Sequence, residues 1–272
     1  MKISNNAFGN PYRVIVTLCA IGLSSLYPRI AVYAQVAKTG PTAGRIAEDI
    51  DRINKGYADP ATVEEIASAH ASNAVPAVKA EFARSQDRKE KFRLASALVR
   101  LGEKDQTYWK YLSDEATEAA ESEIPDPVYD TEGNSTPHEF PTTFVRWAKD
   151  NNMTPNDAAM QALQELPVRM LLLGKTGDPR AIPILRKALQ SSNFMISATA
   201  ATSLAALQDK DSIPLIIDAC RRAPASASPA IATALVYFDD PEARRAVDTY
   251  MPKDGAKIAR EARSRGRTPF GF

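Results

Sequence analysis

The chain is poor in the residues that carry most enzyme chemistry. Of 272 residues, two are histidine, two cysteine and two tryptophan, and aromatics make up 7%. His70 and His138 stand apart, and neither has the spacing of a metal site. A Gly-x-Ser-x-Gly elbow is missing. Gly174-Lys-Thr-Gly177 lacks the first glycine and the spacing of a phosphate loop, and reads as a connection between two helices. Asp130, Glu132 and Asn134 alternate oxygen groups about Gly133. That glycine falls one place early for a calcium loop, and Pro141 stands where the bidentate glutamate belongs. No metal and no cofactor are expected, and no catalytic residue is assigned.

Strong charge of one sign is also missing. The formal net charge of +1 averages unlike parts. The first 34 residues carry Lys2, Arg13 and Arg29 without an acid, and the last 20 hold six basic and two acidic side chains, leaving the body near −6. A mildly acidic body argues against a surface that tracks phosphates, so no nucleic acid is expected.

The longest apolar run is short. Val14 to Leu26 is 13 residues, about 20 Å as a helix against the ~30 Å of a bilayer core. Behind a basic lead, and followed by Val32-Tyr33-Ala34, it reads as an export signal over residues 1–34, with Gln35 as the first mature residue. The expected location is the periplasm or cell envelope, with no membrane span after signal removal. Cys220 is then the one remaining cysteine and cannot form an internal disulfide.

What the chain has in plenty is repetition. Asp178, Asp209 and Asp240 are spaced 31 residues apart, as are Leu173, Leu204 and Leu235, and Leu185, Ile216 and Val247. Ile182-Pro183 recurs as Ile213-Pro214, and Leu189 as Cys220 and Met251, which marks Cys220 as a core residue. Apolar columns with one acidic column describe two short helices, copied and stacked. The aspartate caps a helix start, and one pair cannot bury its stripe on both sides, so neighbours must lean on it.

The same pattern starts near residue 42 and continues to 121, with Asp59-Pro60, Asp87 and Asp105 as caps and Val75-Pro76 matching the later Ile-Pro pairs. Glu115, Glu118, Glu121 and Glu123 are expected on an exposed helix face, and His70 within a helix. Residues 122–155 lose the period and carry turn signals, so they are an insertion loop with a short helix near Phe144, Trp147 and Ala148. Residues 156–265 hold the regular repeats and a closing cap. Within them Pro167 is expected to break a helix, and Ser226 to Phe238 to form one. Residues 266–272 are expected to be a flexible tail.

Leu173-Gly174-Lys-Thr-Gly177-Asp178-Pro-Arg-Ala-Ile-Pro183-Ile-Leu185, with the sets at 204–216 and 235–247, resembles the HEAT-like repeat family, in the short form related to phycobilisome-lyase repeats. The resemblance implies an all-α fold, a right-handed α-solenoid (α/α superhelix) of stacked antiparallel helix pairs. It also implies a scaffold that binds another protein or peptide on its curved surface without catalysis. The alternative is a HEAT-like enzyme, pigment lyase-like or base glycosylase-like. Candidate partner contacts are Trp109 and Trp147 and the polar positions beside the stripe, Arg186, Lys187, Arg221 and Arg222. Oligomeric state is not readable.

Overall fold

The computed structural model describes residues 41–122, 145–146, 148–149 and 153–270. The expected export signal and most of the insertion, with His138 and Trp147, lie outside the described residues. Pro41–Gly271 form one compact unit. Every described element is a helix or turn, and no strand occurs among the described residues.

Six helix pairs follow one another. They are α1 (Ala43–Asn54) with α2 (Pro60–Ser68), α3 (Val75–Arg84) with α4 (Arg88–Arg100), and α5 (Gln106–Ala120) with α6 (Pro155–Lys175). Then come α7 (Ile182–Ala188) with α8 (Phe194–Ala206), α9 (Ile213–Arg222) with α10 (Ser228–Ala232), and α11 (Pro241–Tyr250) with α12 (Lys253–Ser264). The second helices form a continuous layer: α2 packs on α4, α4 on α6, α6 on α8 and α8 on α10, while the turn after α10 packs on α12. The first helices make the other layer, each packed on its partner. The fold is an α-solenoid.

The repeat columns explain the stack. Ile66, Leu98, Leu173, Leu204 and Leu235 occupy successive second-layer helices and are all at most 1% exposed. Val78, Leu112, Leu185, Ile216 and Val247 do the same in the first layer. Cys220 is equally buried, and burial pushes its thiol up to about 12, which makes it an inert core residue.

Capping follows the aspartates with one exception. Backbone N–H groups donate to Asp59, Asp87, Asp105, Asp178 and Asp240, as they do to Asn193. Asp209 caps nothing with its side chain; its carboxylate is taken by a neighbouring helix. Where the motif carries Val-Pro or Ile-Pro, the chain makes a short 3₁₀ turn before the α-helix, at Ser72–Ala74, Pro179–Ala181 and Lys210–Ser212. Proline has no N–H to bond backwards, so the residues before it close the tighter i→i+3 ring. α5 has no such proline and starts directly.

Several expectations are corrected. Pro167 does not break its helix: α6 runs unbroken through it. An interior proline costs about 3 kcal/mol, but Leu166, Met170, Leu172 and Leu173 are all buried beside it, at ~1.5–3 kcal/mol each. Ser226 to Phe238 is an α-turn over Ser228–Ala232 that tightens to 3₁₀ over Thr233–Tyr237. His70 is not helical; it takes a left-handed φ of 49° just after α2. Glu115 is buried, not exposed. Within the insertion, residues 145–146 and 148–149 are helical, and Ala148 is buried.

α6 and α8 approach each other closely at Gly174. A Cβ on Gly174 would come within 2.3 Å of the Ser203 Cβ and 2.9 Å of its Cα. At the same contact the Ser203 hydroxyl donates to the Met170 carbonyl at 2.9 Å. On the other side of α6, the Ser96 hydroxyl donates to the Leu172 carbonyl at 3.2 Å. That carbonyl belongs to the last turn, where helix carbonyls lack partners. Helix propensity favours Gly174→Ala by about 1 kcal/mol, whereas overpacking against a backbone atom costs about 1–3 kcal/mol. Packing wins here: Gly174→Ala is expected to lower the urea unfolding midpoint, and an unchanged or raised midpoint would contradict the close approach.

Candidate interaction surface

Three of the four polar residues beside the stripe are tied to neighbouring helix pairs. Arg186, at the end of α7, grips Asp209 with two guanidinium nitrogens at 2.7 and 2.9 Å. The buried Ser212 hydroxyl also donates to Asp209. The column aspartate therefore serves as an inter-repeat anchor. Lys187 pairs with Glu121, the residue that closes α5. Arg222 donates to the Leu189 carbonyl at 3.0 Å, at the end of the preceding first-layer helix, and to Asp218 at 3.0 Å. Arg84, at the end of α3, does the same between the first two pairs, reaching the Ile53 carbonyl at 3.3 Å. An arginine at the end of one first-layer helix thus donates to a carbonyl in the closing turn of the helix before it. Arg221 is the most open of the candidates, 68% exposed and paired to Asp218 at 3.2 Å.

Trp109 is half-buried on α5, and the Arg180 guanidinium lies 4.3 Å from its ring centroid. Arg180 is held there by Asp178, at 2.6 Å for the closest contact, and by the Gln106 side-chain oxygen at 2.8 Å. The capping aspartate thereby orients a cation over an indole. Tyr108 and Tyr111 turn the other way and meet the Phe82 ring edge-on, at 5.0 and 5.6 Å. Those two tyrosines join the packing between pairs.

The second layer carries the larger charge cluster, invisible in the repeat columns. Arg100 of α4 holds Glu64 of α2 with two nitrogens at 2.8 and 3.1 Å, and Lys175 of α6 reaches the same carboxylate at 2.9 Å. Ser68 donates to Glu64 at 2.9 Å. Burial alone raises the Glu64 carboxyl, but the Arg100 and Lys175 charges outweigh it and bring it down to about 2. Three helix pairs are joined at one carboxylate. Glu115 plays a similar part on α5, bonded by Arg88 at 2.7 Å, with Arg169 Nη2 of α6 3.2 Å from its other oxygen. Asp49 on α1 is different: it is buried with neither oxygen hydrogen-bonded. Burial, then the Glu65 carboxyl, pushes it up to about 6.

At the far end, the 3₁₀ turn after α10, α11 and α12 enclose an open cleft of about 450 Å³. Leu235, Val236 and Val247 form its apolar side, and Arg244, Arg260 and Arg263 stand around it. Arg263 donates to the Val236 carbonyl at 2.7 Å, and Arg260 to Asp248 at 2.6 Å. Large exposed hydrophobics elsewhere, such as Tyr57, Leu215 and Ile258, are scattered on separate elements. Among the described residues no group of three or more His, Cys, Asp or Glu side chains is placed to hold a metal.

Residues 168–235 match the family model for HEAT repeats. The matched stretch begins inside α6 and ends in the turn after α10, so it contains both copies of the Ile-Pro motif. No curated protein and no solved structure matches the chain. The matched stretch is similar to HEAT repeats, as the 31-residue columns imply.

The two kinds of surface arginine should separate cleanly on substitution. Arg186→Ala leaves the Asp209 carboxylate, 8% exposed, without its ion partner. Because Arg186 itself is a third exposed, we expect a loss of about 2 kcal/mol, not the ~3–5 kcal/mol of a fully buried pair. Arg221→Ala removes only a solvated pair and should stay within about 0.5 kcal/mol of the parent. Equal melting temperatures for the two variants would contradict this division.

Proposed function

We propose that the protein is an exported scaffold that binds a protein or peptide partner by contact, without catalysis. The stack itself carries this reading. HEAT repeats commonly serve as protein-binding scaffolds, and here charged side chains such as Arg100, Lys175 and Arg186 bond one helix pair to another. The 31-residue period is the short form seen in repeats of the phycobilisome-lyase type, and we take that likeness to be one of shape. The acidic body disfavours nucleic acid as the partner. Among the described residues no helix is long and apolar enough to cross a membrane. The basic and apolar N-terminal segment supports export, with Gln35 beginning the mature chain.

Contacts in this reading come from the Trp109–Arg180 pair, from the exposed Arg221, and from the insertion around Trp147. Repeat arrays carry their insertions as loops on one face, often the binding face. The test is affinity capture from an envelope extract, using the chain with and without residues 122–155 and with intact mass measured on the secreted product. The expected result is a mature mass starting at Gln35 and a specific protein retained by the intact chain but lost on deletion. An uncleaved chain that stays in the cytoplasm and retains nothing above control resin would overturn it.

A further inference from the structure

The end of the chain does not trail away. α12 closes at Ser264, and Gly266 takes a left-handed φ of 80°. The Gly266 N–H donates back to Arg263 at 2.9 Å, and the Arg267 N–H to Ala262 at 3.1 Å. This is a helix stop of the Schellman kind, and it reverses the chain. Phe270 lies with its ring centroid 5.9 Å from the Lys175 ammonium, at the end of α6 in the third pair.

Six residues from Ser264 to Phe270 span about 20 Å at most, so a contact at the third pair leaves the segment little slack. The residues from Arg263 to Thr268 are exposed, and Pro269 and Phe270 then become half-buried. The segment touches down where its aromatic side chain meets Lys175. That lysine is only 12% exposed, and it is steadied by Glu64, which Arg100 holds in turn. Ion pairs within the stack thus hold Lys175 in place, with its cation toward the ring. Proline at 269 limits the freedom the tail must give up on docking.

We propose that this surface on the second layer, centred on Lys175, is a peptide-binding seat that the chain's own segment Arg267–Phe270 fills as an internal ligand. This rests on the scaffold reading and adds to it the class of partner: a short segment that presents an aromatic side chain to Lys175 and displaces the tail. A tether of a few residues gives an effective concentration in the millimolar range. A seat that stays filled in cis therefore needs an intrinsic Kd below ~1 mM, and a partner must exceed that competition to enter.

The experiment uses a fluorescent peptide of residues 265–270 and measures polarisation with three proteins: the full chain, the full chain carrying Phe270→Ala, and a chain ended after Ser264. The two altered proteins should bind the peptide saturably, at least tenfold more tightly than the parent, whose seat is occupied. The peptide with alanine in place of Phe270 should lose at least tenfold. Circular dichroism checks that the shortened chain is folded; should it unfold, the Phe270→Ala chain decides. Absence of binding by a folded altered chain, or equal binding by the parent, overturns the seat. Envelope capture repeated with the shortened chain separates the two readings. Unchanged capture alongside failed peptide binding would leave the scaffold standing and remove only the seat.

Discussion

An apolar stripe shared between helix pairs is the constraint on which the rest of this structure depends. Each pair presents residues such as Leu185, Leu189, Ala201 and Leu204, too many for its own two helices to bury. Burial of a large aliphatic side chain contributes ~1.5–3 kcal/mol, so a pair standing alone would leave much of its stabilisation in water. Stacking completes the burial, and small residues set how near the neighbours come. Gly174 against Ser203 is the extreme case, where the two helices meet with no room for a methyl group.

Stacking creates a second demand, because it brings helix ends and charged side chains together in rows. The ends are closed by devices reaching across pairs: Arg84 to the Ile53 carbonyl, Arg222 to Leu189, and Ser96 to Leu172. Carboxylates such as Glu64, Glu115 and Asp209 then work as rivets, each gripped by cations from neighbouring helices. Among the described residues, only Asp49, in the first pair, is a buried carboxylate without a hydrogen bond to either oxygen. In the proposed function, contact falls to side chains that the stack leaves open, such as Arg221 and the Trp109–Arg180 pair, and to the seat proposed for the C-terminal segment.

The columns of the sequence made the helices and their core legible, because a 31-residue period reports the same local environment several times over. Leu173, Leu204 and Leu235 could be placed from spacing alone. Partners across pairs could not. Glu64 meets Lys175 across 111 residues, and no local pattern encodes such a meeting. For the same reason Glu115 read as exposed, although Arg88 and Arg169 bury it. Asp209 shares its column with two capping residues, and only the nearness of Arg186 changes its task. Pro167 misled because proline's local cost is fixed, whereas the burial that outweighs it comes from other helices. The C-terminal segment shows the same limit: its composition is that of a loose end, and Phe270 meets a lysine of the third pair.

The central claim is that each pair depends on its neighbours and little on pairs further away. Hydrogen–deuterium exchange on the parent and on Leu204→Ala measures this directly. Truncation of so buried a leucine costs about 2–5 kcal/mol. The account predicts that amide protection falls in α6, α8 and α10, and stays near the parent level in α1 and α2. Equal loss of protection in all twelve helices would show a single cooperative core and contradict it.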